Sequence, residues 1–350
     1  MRHRLATACL ALAPVAVGAQ VTTEQQSGTT ALLQAVSAVD ARTVWVSGHR
    51  ATVLRTTDGG STWTRRMVTE ADSTLEFRDV HALDAKTAWV LAAGPGAKSR
   101  IYHTTDGGAS WALQFTNADS AAFYDCFTFF DRQRGVAFSD ASGGRTLILR
   151  TENGGKVWTL LPASAVPAPL EGEGAFAASG GCVTSHGKRD AWITTASSAG
   201  TRLFRSRDAG KSWAAFDTPF VRGDAAGMTA ASFRDAKRGI GVAARISMMA
   251  TDTAGKTVGV TSDGGHTWAL RTRPPEAGAI FGVTMVPRAS RSTAVAAALS
   301  GLWVTRDDAR SWNRVASGAF WSVGAADRLV WGVGPAGRIV RVDFSGANRR

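Results

Sequence analysis

Thr52-Val-Leu-Arg-Thr56-Thr-Asp58-Gly-Gly60-Ser-Thr-Trp63 decides the fold of this chain. A β-branched run breaks into a tight polar turn and restarts at a tryptophan. The same frame, Ser/Thr-x-Asp-x-Gly-x-x-Trp, returns at Thr104 to Trp111, Thr151 to Trp158, Ser206 to Trp213, Thr261 to Trp268 and Thr305 to Trp312. Registered on the acid, the copies fall on Asp58, Asp106, Asn153, Asp208, Asp263 and Asp307, at intervals of 48, 47, 55, 55 and 44 residues. A period in that range marks a solenoid, a propeller or a domain array.

Each copy reads as a turn. The acid can accept hydrogen bonds from backbone N–H groups two or three residues on. Gly60, Gly108, Gly155, Gly210 and Gly265 supply a left-handed position without a Cβ clash. Trp63, Trp111, Trp158, Trp213, Trp268 and Trp312 bury large rings against the turns. The sixth copy has Ala309 where the others have glycine. Holding alanine left-handed costs on the order of 1 kcal/mol, so a distorted turn is expected there.

Between the boxes the grammar is constant. An apolar segment ends in a polar turn, as in Phe77 to Thr87, and a short run with a bulky residue follows: Val44-Trp45-Val46, Ala88-Trp89-Val90, Ala191-Trp192-Ile193, Val330-Trp331-Gly332. A third run leads into the box, and the box tryptophan opens a fourth. Short β-branched runs between turn signals, with no sustained helical period, are strands. Four per unit describes a propeller blade. After the sixth box, Phe320 to Val342 repeats three strands and then lacks a fourth. Residues 21–30 can supply it, which removes two open edges. The expectation is therefore all-β, one seven-bladed β-propeller with units near 35–70, 76–118, 122–166, 174–220, 226–274, 278–316 and 319–344. The stretches Pro162 to Gly174 and Ala243 to Lys256 read as surface loops.

Composition sets the setting. Residues 1–19 carry Arg2 and Arg4, then an apolar run, then Val17-Gly18-Ala19, the form of a secretory signal cleaved near Ala19. Residues 20–346 are then the propeller and 347–350 a basic tail, in the periplasm or outside the cell. Without the leader the chain has 38 basic and 28 acidic residues, a net +10. The excess is scattered, and with no nucleic-acid motif a nucleic-acid partner is not expected. An oxidising compartment permits a disulfide. Cys126 and Cys182 each lie nine residues before the apolar second-strand position of their own unit, Gly135 and Ala191. They should occupy equivalent places on neighbouring first strands, and the spacing leaves open whether they are bridged.

The box strings carry a resemblance. Asp-box repeats occur in sialidases, some endoglucanases, sortilin-type receptors and non-enzymatic propellers. Val44-Trp-Val-Ser-Gly48 with Thr52 to Trp63, and the echoes at 146–158 and 337–341, resemble the photosystem II stability and assembly factor family over residues 30–344. The resemblance implies an exported, monomeric docking scaffold for a protein partner, which in that family is a membrane protein under assembly, and no cofactor. It also implies an arginine-rich surface, for which Arg55, Arg150, Arg205 and Arg341 are the candidates. His103, Val260 and Val304 stand at the same place in other blades. The alternative for these arginines is that their stems lie between blades and pair with nearby acids or carbonyls.

Catalysis has thinner support. A sialidase needs a Tyr nucleophile and three carboxylate-gripping arginines, and this chain has two tyrosines, Tyr102 and Tyr124. A glycoside hydrolase needs two carboxyls about 5–5.5 Å or 6.5–9.5 Å apart. Asp79 and Asp125 are the best pair, each at the start of an inner strand, with Glu173 and Asp224 in loosely similar places. A glycan-directed enzyme or lectin using the channel mouth is thus the second reading. The related endoglucanases pair two propellers, whereas this chain holds one. There is no Gly-x-Gly-x-x-Gly followed by a helix, no Cys-x-x-Cys and no metal-spaced histidine pair, so no cofactor or metal is expected.

Overall fold

The computed structural model describes residues 20–68 and 73–348. Seven four-stranded antiparallel sheets form the seven blades of a propeller. The leader expected over residues 1–19 lies outside the described residues, as do the last two residues of the basic tail. Among the described residues there is no α-helix, only five short 3-10 turns.

Blade one is typical. Leu33–Ala38 lines the centre, then Val44–Gly48, Thr52–Thr56 and the short outer Thr64–Arg65 follow outward. Burial is deepest in the second strand and gone in the outer one, because neighbouring blades cover the middle of each sheet and the outer strand faces water. In blade one the second strand is buried throughout and the outer strand is exposed. Blade seven is closed from the other end of the chain. Val21–Gln25 pairs with Ile339–Asp343, with Thr23 opposite Arg341. The insertion expected from Ala243 begins later: Gly239–Arg245 is one strand, and Ile246–Met248 then forms a 3-10 turn.

The boxes close on themselves. Thr56 Oγ1 donates to Asp58 Oδ1 at 2.7 Å and accepts the Gly60 N–H at 2.9 Å. Asp58 also accepts both the N–H and the hydroxyl of Thr62, four residues on. The reach is longer than the two or three residues expected. The intermediate amide is used in boxes four and six, where Lys211 and Arg310 donate to Asp208 and Asp307.

Box six corrects the expected distortion. Ala309 holds φ 60° and its N–H reaches Thr305 Oγ1 at 2.9 Å, the same bond as in the glycine copies. The reason lies in what packs outside. A Cβ on Gly60 would fall 2.1 Å from Gln25 Oε1, on Gly155 2.1 Å from Gln114 Oε1, and on Gly265 2.0 Å from a Leu203 methyl. At Ala309 the methyl is fully buried within the core between blades five and six. Those glycines are required by their neighbours as much as by φ.

The box also joins blades, since its turn leaves carbonyls pointing at the previous blade. The Trp89 indole donates to Gly154 O at 3.1 Å and the Trp192 indole to Gly264 O at 2.9 Å. Below Trp192, Phe233 of the next blade stacks at 3.8 Å and 3°. The box tryptophans anchor turns; of the four in second strands, Trp45, Trp89 and Trp192 donate to carbonyls of the next blade and act as struts.

Candidate functional site

The candidate arginines do not make a surface patch. Arg55 donates to Ala85 O at 2.7 Å and lies over the Trp45 ring. Arg150 donates to Ala209 O at 2.9 Å and pairs with Glu152. Arg205, with its side chain 3% exposed, bonds Ala236 O and Asp263 O and lies over Trp192. Arg341 points to Gly59 O at 3.5 Å. Each reaches the following blade, where a box or turn carbonyl needs a donor. The guanidinium satisfies those acceptors while its stem covers apolar surface. The patch reading is corrected by this use of the donors.

The opposite face, where inner strands begin, carries the concave site. Antiparallel order puts the boxes on one face of the ring and the starts of the inner strands on the other. The channel there is stoppered by residues 175–181, which lead into the first strand of blade four. Ser179 Oγ donates to Phe281 O at 2.7 Å, and Ser322 Oγ donates to Ser179 O at 2.8 Å. The Ala231 N–H reaches Gly181 O, and Gln34 Nε2 reaches Ala178 O. Gly180 lies against Asp79 and Ala35. The segment therefore touches inner strands of blades one, two, five, six and seven. Cys182, directly after it, is joined to Cys126 of blade three, with Cα atoms 5.9 Å apart. This stopper was not legible in the sequence beyond a Gly/Ala-rich run.

Above the stopper is a cavity of about 390 Å³. Its apolar wall is Phe123, Phe176, Met249 and the stacked pair Phe281–Trp321, with centroids 4.5 Å apart. Its polar wall includes Arg78, Asp125 and Asp140. Arg78 is held at 2.5 Å by Glu76 and lies over the Phe123 ring. Burial holds the neighbouring His49 imidazole below its usual value, so it is neutral near pH 7.

The structure separates the two expected carboxyls. Asp125 lines the cavity, while Asp79 does not. Asp79 accepts the Val80 N–H at 2.7 Å and the Phe127 N–H at 2.8 Å. It is a buried tie between blades two and three, and burial pushes its carboxyl well up against the pull of those two amides. The partner of Asp125 is Asp140, in hydrogen-bond contact with it. Burial first, then the charge of Asp140, drives Asp125 well above the usual carboxylate range. Burial also raises Asp140, against the Ala175 N–H that it accepts at 3.0 Å. Sequence reasoning missed Asp140, which ends the buried run of a second strand and carries no motif.

Glu173 and Asp224 line a second cavity of about 610 Å³ beside the first. Glu173 is buried and paired with Arg202, with Thr195 Oγ1 donating at 2.7 Å. Tyr102 is buried in a third strand, edge-on to Phe77. Among the described residues no group of three His, Cys, Asp or Glu could hold a metal ion.

Fold and site together define a single-ring Asp-box propeller with a stoppered channel and one aromatic, carboxyl-bearing mouth. Over residues 19–117 the chain matches the family described as photosynthesis system II assembly factor YCF48. A solved structure titled "YCF48 bound to D1 peptide" superposes with a TM-score of 0.64 at 18% identity, over 93% of this chain and 97% of that one. YCF48 from Cyanidioschyzon merolae gives 0.63 at 18% identity, over 92% and 98%. A GH74 enzyme from Niastella koreensis gives 0.66 at 13% identity, over 91% of this chain and 53% of that one. No curated protein matches the chain.

Proposed function

We propose that this chain is an exported, monomeric scaffold that holds a polypeptide segment of a partner in its stoppered mouth and catalyses nothing. On this reading it assists a membrane or envelope complex during assembly. The observation that carries the proposal is the cavity itself: blind, walled by four aromatic rings, and floored by residues 175–178. A blind apolar cup with a few convergent polar groups suits capture of a side chain or loop, and a rigid ring suits display of it. The structural neighbour that holds a peptide supports the same reading.

The glycoside hydrolase reading finds less support. Asp79 is spent on backbone amides, and Asp125 and Asp140 touch directly. A retaining or inverting pair needs carboxyls held about 5 Å or more apart. The GH74 neighbour is nearly twice the length of the matched region.

The test is mouth-dependent capture. Photo-crosslinking from position 176 in envelope membranes should trap a partner polypeptide that Trp321→Ser loses and the outer-strand change Leu113→Ser keeps. Equal capture by both variants, or a glycan turned over by the purified chain, defeats the proposal.

A further inference from the structure

The two cavities share Asp140, Ala175 and Phe176. The second is lined by Asp140, Glu171, Glu173 and Asp224, with no lysine, arginine or histidine in its wall. Arg202 neutralises Glu173. Glu171 and Asp224 have no cationic partner among the described residues and stand exposed. In a chain of net positive charge, this is a local inversion of sign.

The first cavity holds one guanidinium, Arg78, which Glu76 neutralises, and it keeps an acceptor that no donor meets. Gln34 is 4% exposed and keeps one buried acceptor, Oε1, that no donor reaches. Buried acceptors without donors are costly. The Phe176 ring in the same wall offers a face to an organic cation, as Phe123 already does to Arg78. The occupant these walls fit is positively charged, rich in N–H donors and flat or slender.

Resting on the peptide-docking reading above, we propose that the two cavities form one trough for a basic segment of the partner. An arginine or lysine side chain crosses Phe176 and meets Asp140, with flanking basic residues against Glu171 and Asp224. Guanidinium fits better than ammonium, because it stacks on a ring and feeds two acceptors at once.

The probe is a capped hexapeptide, Gly-Ser-Phe-Arg-Ser-Gly, titrated into the full chain beside versions with lysine or the neutral isostere citrulline for arginine. The arginine peptide should bind at least about tenfold tighter than the citrulline one, a charge-assisted margin, with lysine between. A second peptide with basic flanks, Gly-Arg-Phe-Arg-Arg-Gly, should lose about fivefold in affinity for the surface pair Glu171→Gln/Asp224→Asn, a change that the single-arginine peptide does not show; equal loss by both overturns the flanking contacts. Equal binding of arginine and citrulline peptides overturns the inference and leaves peptide docking standing. Binding by none of the three overturns both. Free spermidine binding as tightly as the arginine peptide overturns the assignment to a polypeptide.

Discussion

The carboxylate of Asp79 in blade two accepts the backbone N–H of Phe127 in blade three at 2.8 Å, out of contact with solvent. Its other oxygen takes the Val80 N–H. An amide has one acceptor oxygen, so Asp79→Asn sets an NH2 group against one of those donors. The variant should lose about 1–3 kcal/mol, read as a lower denaturant midpoint with an unchanged slope.

Gly180 sits on the other side of that carboxylate. It holds φ +68°, and a Cβ there would lie 2.5 Å from Asp79 Oδ1 and 3.1 Å from the Ala35 methyl carbon. Gly180→Ala must lift the stopper or push Asp79 off its amides. A loss of about 2 kcal/mol or more is expected, together with faster proteolysis within 162–181.

The Cys126–Cys182 bridge closes a loop of 56 residues. A chain-entropy model gives about 4 kcal/mol for a loop of that size, and measured values run about 2–4. The Cys126→Ala/Cys182→Ala variant should therefore melt lower than the oxidised protein. Reductant should shift the melting of the parent and leave the variant unmoved.

Acid titration should separate two kinds of aspartate. Asp125 is raised by burial and by Asp140, with Arg78 opposing. A group with a raised folded pKa favours the protonated native state. Stability from it is therefore lost as pH climbs from the ordinary carboxylate value near 3.8 through the folded one. Asp125→Asn removes that loss, so its melting temperature relative to the parent should rise as pH climbs above about 4. A difference that is flat with pH would contradict this. Asp263 has the opposite sign: burial opposes, but the Thr267 hydroxyl and amide and the Thr261 hydroxyl hold it at about 2. Its contribution is present at neutral pH and disappears as pH falls toward that value.

Boxes three and six give a matched pair. Gly155→Ala drives a Cβ into Gln114 Oε1 at a φ of +88°, and should cost about 1–3 kcal/mol. Ala309→Gly relaxes φ but frees the unfolded chain and empties a buried methyl site. Its net change should stay within about 1 kcal/mol either way. Paired thermal melts decide it.

Much of this was legible because turns repeat. Six boxes gave the period, and the unpartnered strands at Val21 and Ile339 gave the closure. What local reading could not give is anything set by contact across the ring. The arginines at 55, 150, 205 and 341 look free in sequence, because the carbonyls they satisfy belong to the next blade. Asp140 is anonymous until a bulge between Tyr124 and Cys126 brings Asp125 beside it. The stopper is mostly alanine, glycine and serine, residues with no pattern of their own, and it is defined by the five inner strands that receive it. Box six failed the other way: a propensity cost was weighed without the packing that repays it.

The clasp of the ring has one more effect. Val21–Gln25 finds its neighbour only when Ile339–Asp343 is available, so the earliest strand to emerge waits for the latest. Contacts so distant along a chain form slowly, and meanwhile both strands show bare edges ready to pair with other molecules. A cut near either end should therefore yield clumped material instead of a smaller soluble ring. For this fold, solubility is decided at the seam.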